Sequence, residues 1–332
     1  MDEPVVLDVD NLTVSFLSDG SRVPAVNQIS FQLKKGEILG IVGESGSGKS
    51  VTSLSIMGLL PKPSAEVHRD SRIRFRGENL LAMSETKLRK LRGNQISMIF
   101  QEPMTSLNPL FTIGYQMLEA YKLHRPSRKT EAFLECVSML KLVGLPRAKE
   151  IMKNYPHELS GGMRQRVMIA MAMVCEPSIL IADEPTTALD VTIQAQILKL
   201  MRDINKKTNT SIIFITHDLG VVAETCDRVL VMYAGEIVEE GAVADIFLHP
   251  KHPYTKGLLK SVPDIRHKGS RLYSIPGQVP RPGSIKNGCV FAPRCNEAVK
   301  ECGVVIPSRK KIEETSQTVK CLLYGDLGRK EG

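Results

Sequence analysis

The stretch "GESGSGKS", Gly43 to Ser50, constrains this chain more than any other. It fits G-x-x-x-x-G-K-S/T in full, after a short apolar run with strand character, "EILGIV", and before a segment with helical spacing, "KSVTSLSIMGLL". Glycines let the backbone bend so that successive N–H groups point at phosphate oxygens, and the start of the helix adds a favourable dipole. The expected nucleotide-binding residues are Gly43, Glu44, Ser45, Gly46, Ser47, Gly48, Lys49, Ser50 and Val51. Lys49 is placed to reach the β- and γ-phosphates and the Ser50 hydroxyl to hold Mg²⁺. A chain built around this loop is an α/β protein that binds a nucleoside triphosphate.

Two further segments complete the chemistry. "ILIADE" ends an apolar strand in two carboxylates, which burial would not tolerate without a use for them. Asp183 is placed to hold Mg²⁺, directly or through water, and Glu184 to polarise an attacking water as general base. In "LSGGMRQRVMIAMA", Ser160, Gly161 and Gly162 form a second helix start with exposed N–H groups, ready for an anion. One nucleotide has one γ-phosphate, so this second site is expected to serve a nucleotide bound on another subunit.

The set "GESGSGKS", "LSGGMRQRV", "ILIADEPTTALD" and "ITHD" resembles the ATP-binding-cassette ATPases in order and spacing, over residues 1 to about 245. The resemblance implies a P-loop core with an antiparallel β subdomain and an α-helical subdomain at about 105–165. It implies ATP hydrolysis by two cassettes closed head to tail, Ser160 and Gly162 contacting the γ-phosphate held by the partner. Gln101, in "FQEPMTSLNP", matches the segment that senses Mg²⁺ and water and links to a transmembrane partner. Asp190 matches the loop that crosses the dimer interface, and His217 the histidine that contacts the γ-phosphate. Phe16, on the first strand, is a candidate for stacking on adenine and equally a core aromatic. The signature commonly carries Gln where this chain has Met163; the phosphate-contacting Ser and Gly positions are intact.

"QEPMTSLNPLFTIGYQ", "MYAGEIVEEG", "HPKHPYTKGLLKSVP" and "PGQVPRPGSIKNGCVFAPRC" narrow the resemblance to the ATPase subunits of bacterial dipeptide and oligopeptide importers, with nickel importers close to the same pattern. That implies two membrane-spanning permease subunits, a second ATPase (related, or another copy of this chain) and an external peptide-binding protein. It also implies a peripheral position on the cytoplasmic face of the bacterial plasma membrane. The acidic start, "MDEPVVLDVD", lacks the basic n-region and apolar core of a secretory signal, and no run is long and apolar enough to cross a bilayer.

Composition bears on the rivals. With 44 Lys+Arg against 36 Asp+Glu the formal net charge is +8, which suits anionic partners or a mildly basic solvated surface. A cassette ATPase acting on nucleic acid would fit the charge. Aromatics are only 5% and Trp is absent, so platforms for stacking bases are scarce. No long heptad coiled coil separates Ser50 from Asp183, and no second cassette suggests a ribosome-associated protein. No nucleic-acid partner is expected.

Beyond a boundary expected near residue 250, separating 1–249 from an extension over 250–332, prolines and glycines become frequent. Four of the seven cysteines fall there: Cys289, Cys295, Cys302 and Cys321. In a reducing compartment disulfides are not expected, and the spacing matches neither the short zinc patterns nor the common ferredoxin ones. Four thiolates would suit Zn²⁺ or an iron–sulfur cluster in a loop-built cage. The family resemblance implies a structural 4Fe–4S cluster. Cys136, Cys175 and Cys226 read as small buried hydrophobes.

Overall fold

A computed structural model describes residues 4–18, 20–101, 107–187, 189–261, 273–281 and 283–325. The chain divides into two compact units. One comprises Met1–Val6, Leu33–Ile38 and Ala82–Ile215, and the other Leu7–Gln32, Leu39–Leu81 and Thr216–Gly332.

In the second unit, β1 (Val5–Ser18) and β2 (Ser21–Lys34) carry the period-2 pattern of a sheet with one wet face. Ile29, Phe31 and Leu33 are buried, while Ser30, Gln32 and Lys34 between them are not. β3 (Ile38–Val42) is apolar and buried throughout, as a strand covered on both faces must be. It feeds the glycine loop and α1 (Lys49–Met57). β4 (Ala65–Val67) and β5 (Arg72–Phe75) both pair antiparallel with β1, and β6 (Glu78–Asn79) pairs with β5.

The first unit opens with α2 (Glu85–Leu91) and β7 (Ile96–Ile99). Helices follow: α3 (Ile113–His124), α4 (Lys129–Leu142), α5 (Ala148–Ile151) and α6 (Gly161–Met173). β8 (Ile179–Asp183) pairs parallel with β7 on one side. On its other side it pairs parallel with β9 (Ser211–Thr216), and both β8 and β9 are fully buried. Between those two strands runs α7 (Val191–Thr208), capped by the Asp190 carboxylate, which accepts from the Ile193 N–H at 2.9 Å. Its Ile197, Met201 and Ile204 face inward at helical spacing.

The second unit resumes with α8 (Leu219–Thr225), β10 (Arg228–Tyr233), β11 (Glu236–Ala242), α9 (Val243–Leu248) and α10 (Pro253–Lys260). β10 lies parallel to β3 and antiparallel to β11. The tail is stitched to this sheet: β12 (Lys310–Lys311) pairs with β13 (Thr318–Val319), which pairs with β11. Residues on both sides of position 250 therefore share one unit, because sheet pairing and a common core hold them together. That core joins Val42, Val229, Val231, Tyr233, Val238 and Tyr254 to Phe291 from the cysteine tail. Among the described residues no helix is long and apolar enough to cross a membrane.

Candidate nucleotide site

The loop after β3 has the backbone its sequence calls for. Gly43, Gly46 and Gly48 all take positive φ, at 157°, 78° and 99°. A side chain at Gly43 would bring a Cβ within 2.1 Å of the Met232 carbonyl, and one at Gly48 within 2.8 Å of the Ala25 carbonyl. Lys49 is only 7% exposed, and its ammonium donates to the Gly43 and Glu44 carbonyls at 2.7 and 3.1 Å. A cation so held, at the foot of a helix whose first N–H groups lack intrahelical partners, is the donor set a triphosphate needs. Ser50 and Val51 lie half-buried on the first turn of α1. Phe16 is half-buried on β1, opposite Ala65 of β4.

In the first unit, Asp183 ends β8 at 3% exposure. Glu184 follows with φ at +48°, a left-handed conformation that side chains other than glycine rarely adopt, and its N–H donates to the Ile215 carbonyl at 2.9 Å. Its carboxylate accepts from Gln101 Nε2 at 3.2 Å and from Thr187 Oγ1 at 3.0 Å. Gln101 itself is exposed. Ser160 caps α6, its hydroxyl accepting from the Met163 N–H at 3.3 Å. That bond uses the backbone of Met163, so a residue other than Gln there leaves the cap intact. Ser160 and Gly161 are exposed, and a cleft of about 520 Å³ opens beside them, lined by Gly162, Met163, Arg166 and Ile193 among others. Asp190 caps α7, and His217 lies exposed after β9, in the second unit.

Three partners escape a reading of motifs alone. Thr187 lies within "DEPTTALD", so its neighbourhood to Glu184 is written in the chain. Buried Gln165, in the signature helix, donates to the Pro185 carbonyl at 2.6 Å, a contact with no local signal. Arg294 lies between Cys289 and Cys295, where attention goes to the thiols, yet its guanidinium grips Glu44 in the glycine loop.

Among the described residues, no group of three or more His, Cys, Asp or Glu side chains stands arranged to hold a metal ion. The metal cage expected of the tail is therefore not preformed. The four thiols nonetheless share one neighbourhood. Cys302 and Cys321 are buried, Cys289 and Cys295 half-buried, and the Cys289 N–H donates to the Cys302 carbonyl at 2.8 Å. Burial first, and then the neighbouring thiols, raise the pKa of Cys289 and Cys295 and push Cys321 up to about 11. Elsewhere, Cys136 and Cys175 are core residues and Cys226 is half-buried, as small hydrophobes.

Comparison with known proteins sets this geometry in a lineage. Residues 26–187 match the family described as "ABC transporter", and residues 238–302 match "Oligopeptide/dipeptide transporter, C-terminal region". The dipeptide transport ATP-binding protein DppD of Bacillus subtilis is 56% identical over 96% of this chain and 94% of its own. The oligopeptide transport ATP-binding protein AppD of the same organism is 52% identical over 98% of this chain and 99% of its own. OppD of Salmonella typhimurium is 52% identical over 91% of this chain and 90% of its own. Among solved structures, the dimeric cassette MJ0796 in a post-hydrolysis state bound to ADP and Pi is 28% identical. It superposes with a TM-score of 0.63, covering 71% of this chain and 98% of that one.

Proposed function

The chain belongs to the ATP-binding-cassette ATPases of the oligopeptide and dipeptide importers, and we propose that it is the motor subunit of a peptide uptake system. ATP binds with Mg²⁺ at the glycine loop, where Lys49 meets the phosphates and Ser50 and Asp183 hold the metal. Gln101 senses the Mg²⁺ and the attacking water, His217 contacts the γ-phosphate, and Phe16 stacks on adenine. Two cassettes close head to tail, so that Ser160, Gly161 and Gly162 of each complete the site of the other, with Asp190 at the seam. Glu184 then polarises the attacking water. The observation that carries this reading is the convergence of Gln101 and Thr187 on Glu184 at the end of a buried strand.

The partner of the motor is a pair of permease subunits at the cytoplasmic face of the plasma membrane. Support comes from the exposed apolar residues Leu110, Phe111 and Tyr115, with the rings of Phe111 and Tyr115 stacked at 4.6 Å. Exposed apolar residues gathered in this way mark interaction surfaces. Residues 1–249 act as the cassette, with its helical part at about 105–165, and 250–332 as a tail carrying the cysteines. Co-expression with permease subunits tests the assignment. ATPase activity of the complex should rise when the peptide-loaded binding protein is added, and a rate indifferent to peptide would refute it.

The four tail cysteines are assigned to a 4Fe–4S cluster, with Zn²⁺ as the alternative soft-ligand occupant. What supports this reading is the gathering of four soft thiol ligands in one proline- and glycine-rich tail, enough in number for either group. Protein purified anaerobically should carry iron, labile sulfide and broad visible absorption. Zinc without sulfide would select the alternative.

A further inference from the structure

Arg294 ends a single 3₁₀ turn, Ala292–Arg294, in the cysteine tail and is 8% exposed. Every N–H of its guanidinium has an acceptor. Nε donates to the Pro276 carbonyl at 2.9 Å. One terminal nitrogen donates to Glu44 Oε2 at 2.8 Å and to the Tyr233 hydroxyl at 3.3 Å. The other donates to Glu44 Oε1 at 3.2 Å and to the Ile275 carbonyl at 3.2 Å. The fork on Glu44 is bidentate, the geometry that makes arginine–carboxylate pairs strong and directional.

Glu44 is held a second way: its backbone N–H donates to the Tyr254 hydroxyl at 2.9 Å. The ring of Tyr254 lies 4.6 Å from that of Tyr233 and 5.4 Å from that of Phe291, and Tyr233 meets Phe291 edge-on at 5.1 Å. Three rings, from β10, α10 and the tail, thus fix two hydroxyls and the guanidinium around the first bend of the glycine loop.

A carboxylate inside a loop that must receive a polyanion is a liability, because like charges at short range in a partly desolvated site repel. Arg294 cancels that charge. We propose that Arg294 is a positioning residue for ATP binding, acting through Glu44: it neutralises and holds the phosphate loop, so that nucleotide affinity depends on the tail. The proposal rests on the ATP-binding reading of the loop and is independent of what the thiols hold.

The test uses the full chain, with Mg²⁺–ATP binding measured by calorimetry and KM and kcat by steady-state hydrolysis. ATP binding by the unsubstituted protein establishes the reading beneath the proposal, so its failure is seen separately. Arg294→Gln strands the carboxylate, and ATP Kd and KM should rise about tenfold or more while kcat changes by less than about threefold. Glu44→Gln serves only as a background: with the carboxylate charge gone, adding Arg294→Gln should change Kd by less than about threefold relative to Glu44→Gln alone. A merely structural role predicts the same loss from Arg294→Gln in both backgrounds. Arg294→Gln with parental Kd and KM, or an equal loss in the two backgrounds, overturns the proposal. If Arg294→Gln does not fold, Arg294→Lys, which keeps the charge without the fork, takes its place: a Kd within about threefold of the parent is expected, and a tenfold loss overturns the proposal.

Discussion

The amide nitrogen of Gln101 donates to a carboxylate oxygen of Glu184 at 3.2 Å, although 83 residues separate them. The same oxygen accepts from Thr187, so two donors orient the carboxylate at the end of β8. Glu184→Gln keeps the side chain's size and one acceptor oxygen but removes its basicity. Hydrolysis should fall by about 10²–10⁴-fold while ATP binding persists. The checks are single-turnover hydrolysis and equilibrium binding, and near-normal turnover would strip Glu184 of the base role.

Two glycines of the phosphate loop are required for different reasons, and alanine separates them. At Gly46, φ is +78° and a Cβ would meet nothing within 4 Å, so Gly46→Ala bears only the left-handed strain, about 1–2 kcal/mol. At Gly43 the new methyl would lie 2.1 Å from the Met232 carbonyl and 2.8 Å from Ser47 Oγ. Backbone must move there, adding about 1–3 kcal/mol to the strain. Denaturant midpoints should therefore rank parent, Gly46→Ala, Gly43→Ala. Equal losses for the two would mean that the loop yields freely at Gly43.

Legibility in the sequence follows the range of each interaction. The glycine loop, the buried strands β3, β8 and β9 and the amphipathic α7 are local patterns, and strand or helix periodicity exposes them directly. Ser160 is readable as a helix start for the same reason. Arg294 and Glu44 are 250 residues apart, and nothing in either neighbourhood announces the pair. The rise in proline and glycine near residue 250 is read from composition, whereas the pairing of β13 with β11 and the place of Phe291 in the core are long-range and leave no mark on it. Four cysteines are visible as a set, whereas the degree to which the tail gathers them is a matter of loop packing.

His252 gives the protein an acid-sensitive step. It is 1% exposed, caps α10 by accepting from the Tyr254 N–H at 3.1 Å, and lies 5.7 Å from the ring of Phe291. Burial first, then the Lys256 charge, lowers its pKa to about 3 from 6.5. Its contribution is thus intact above pH 6.5 and is lost as pH falls toward 3, because the unfolded chain takes up a proton that the folded one refuses. The slope approaches about 1.4 kcal/mol per pH unit. Buried Glu239 works in the opposite sense. Its pKa is raised by desolvation, so its contribution weakens as pH rises above 4.5. Denaturant melts of the parent against His252→Asn, which keeps a capping acceptor, isolate the histidine. Between pH 6.5 and 5.5 the difference should change by about 1 kcal/mol, and parallel curves would rule the effect out.

Removal of metal should reverse the alkaline response of the tail. In metal-free protein Cys321 has its pKa pushed up to about 11 from 9.0, first by burial and then by Cys289, Cys295 and Cys302. A raised folded pKa means a contribution fully present below pH 9 and lost as pH climbs to 11. A bound metal or cluster demands thiolates, so its hold on the tail strengthens over the same range. Protein stripped with chelator under reducing conditions should thus unfold at lower denaturant at pH 10 than at pH 8. Protein as isolated should lose less, and the gap between the two should widen with pH. A gap that stays constant would mean that these four cysteines hold nothing that requires their deprotonation.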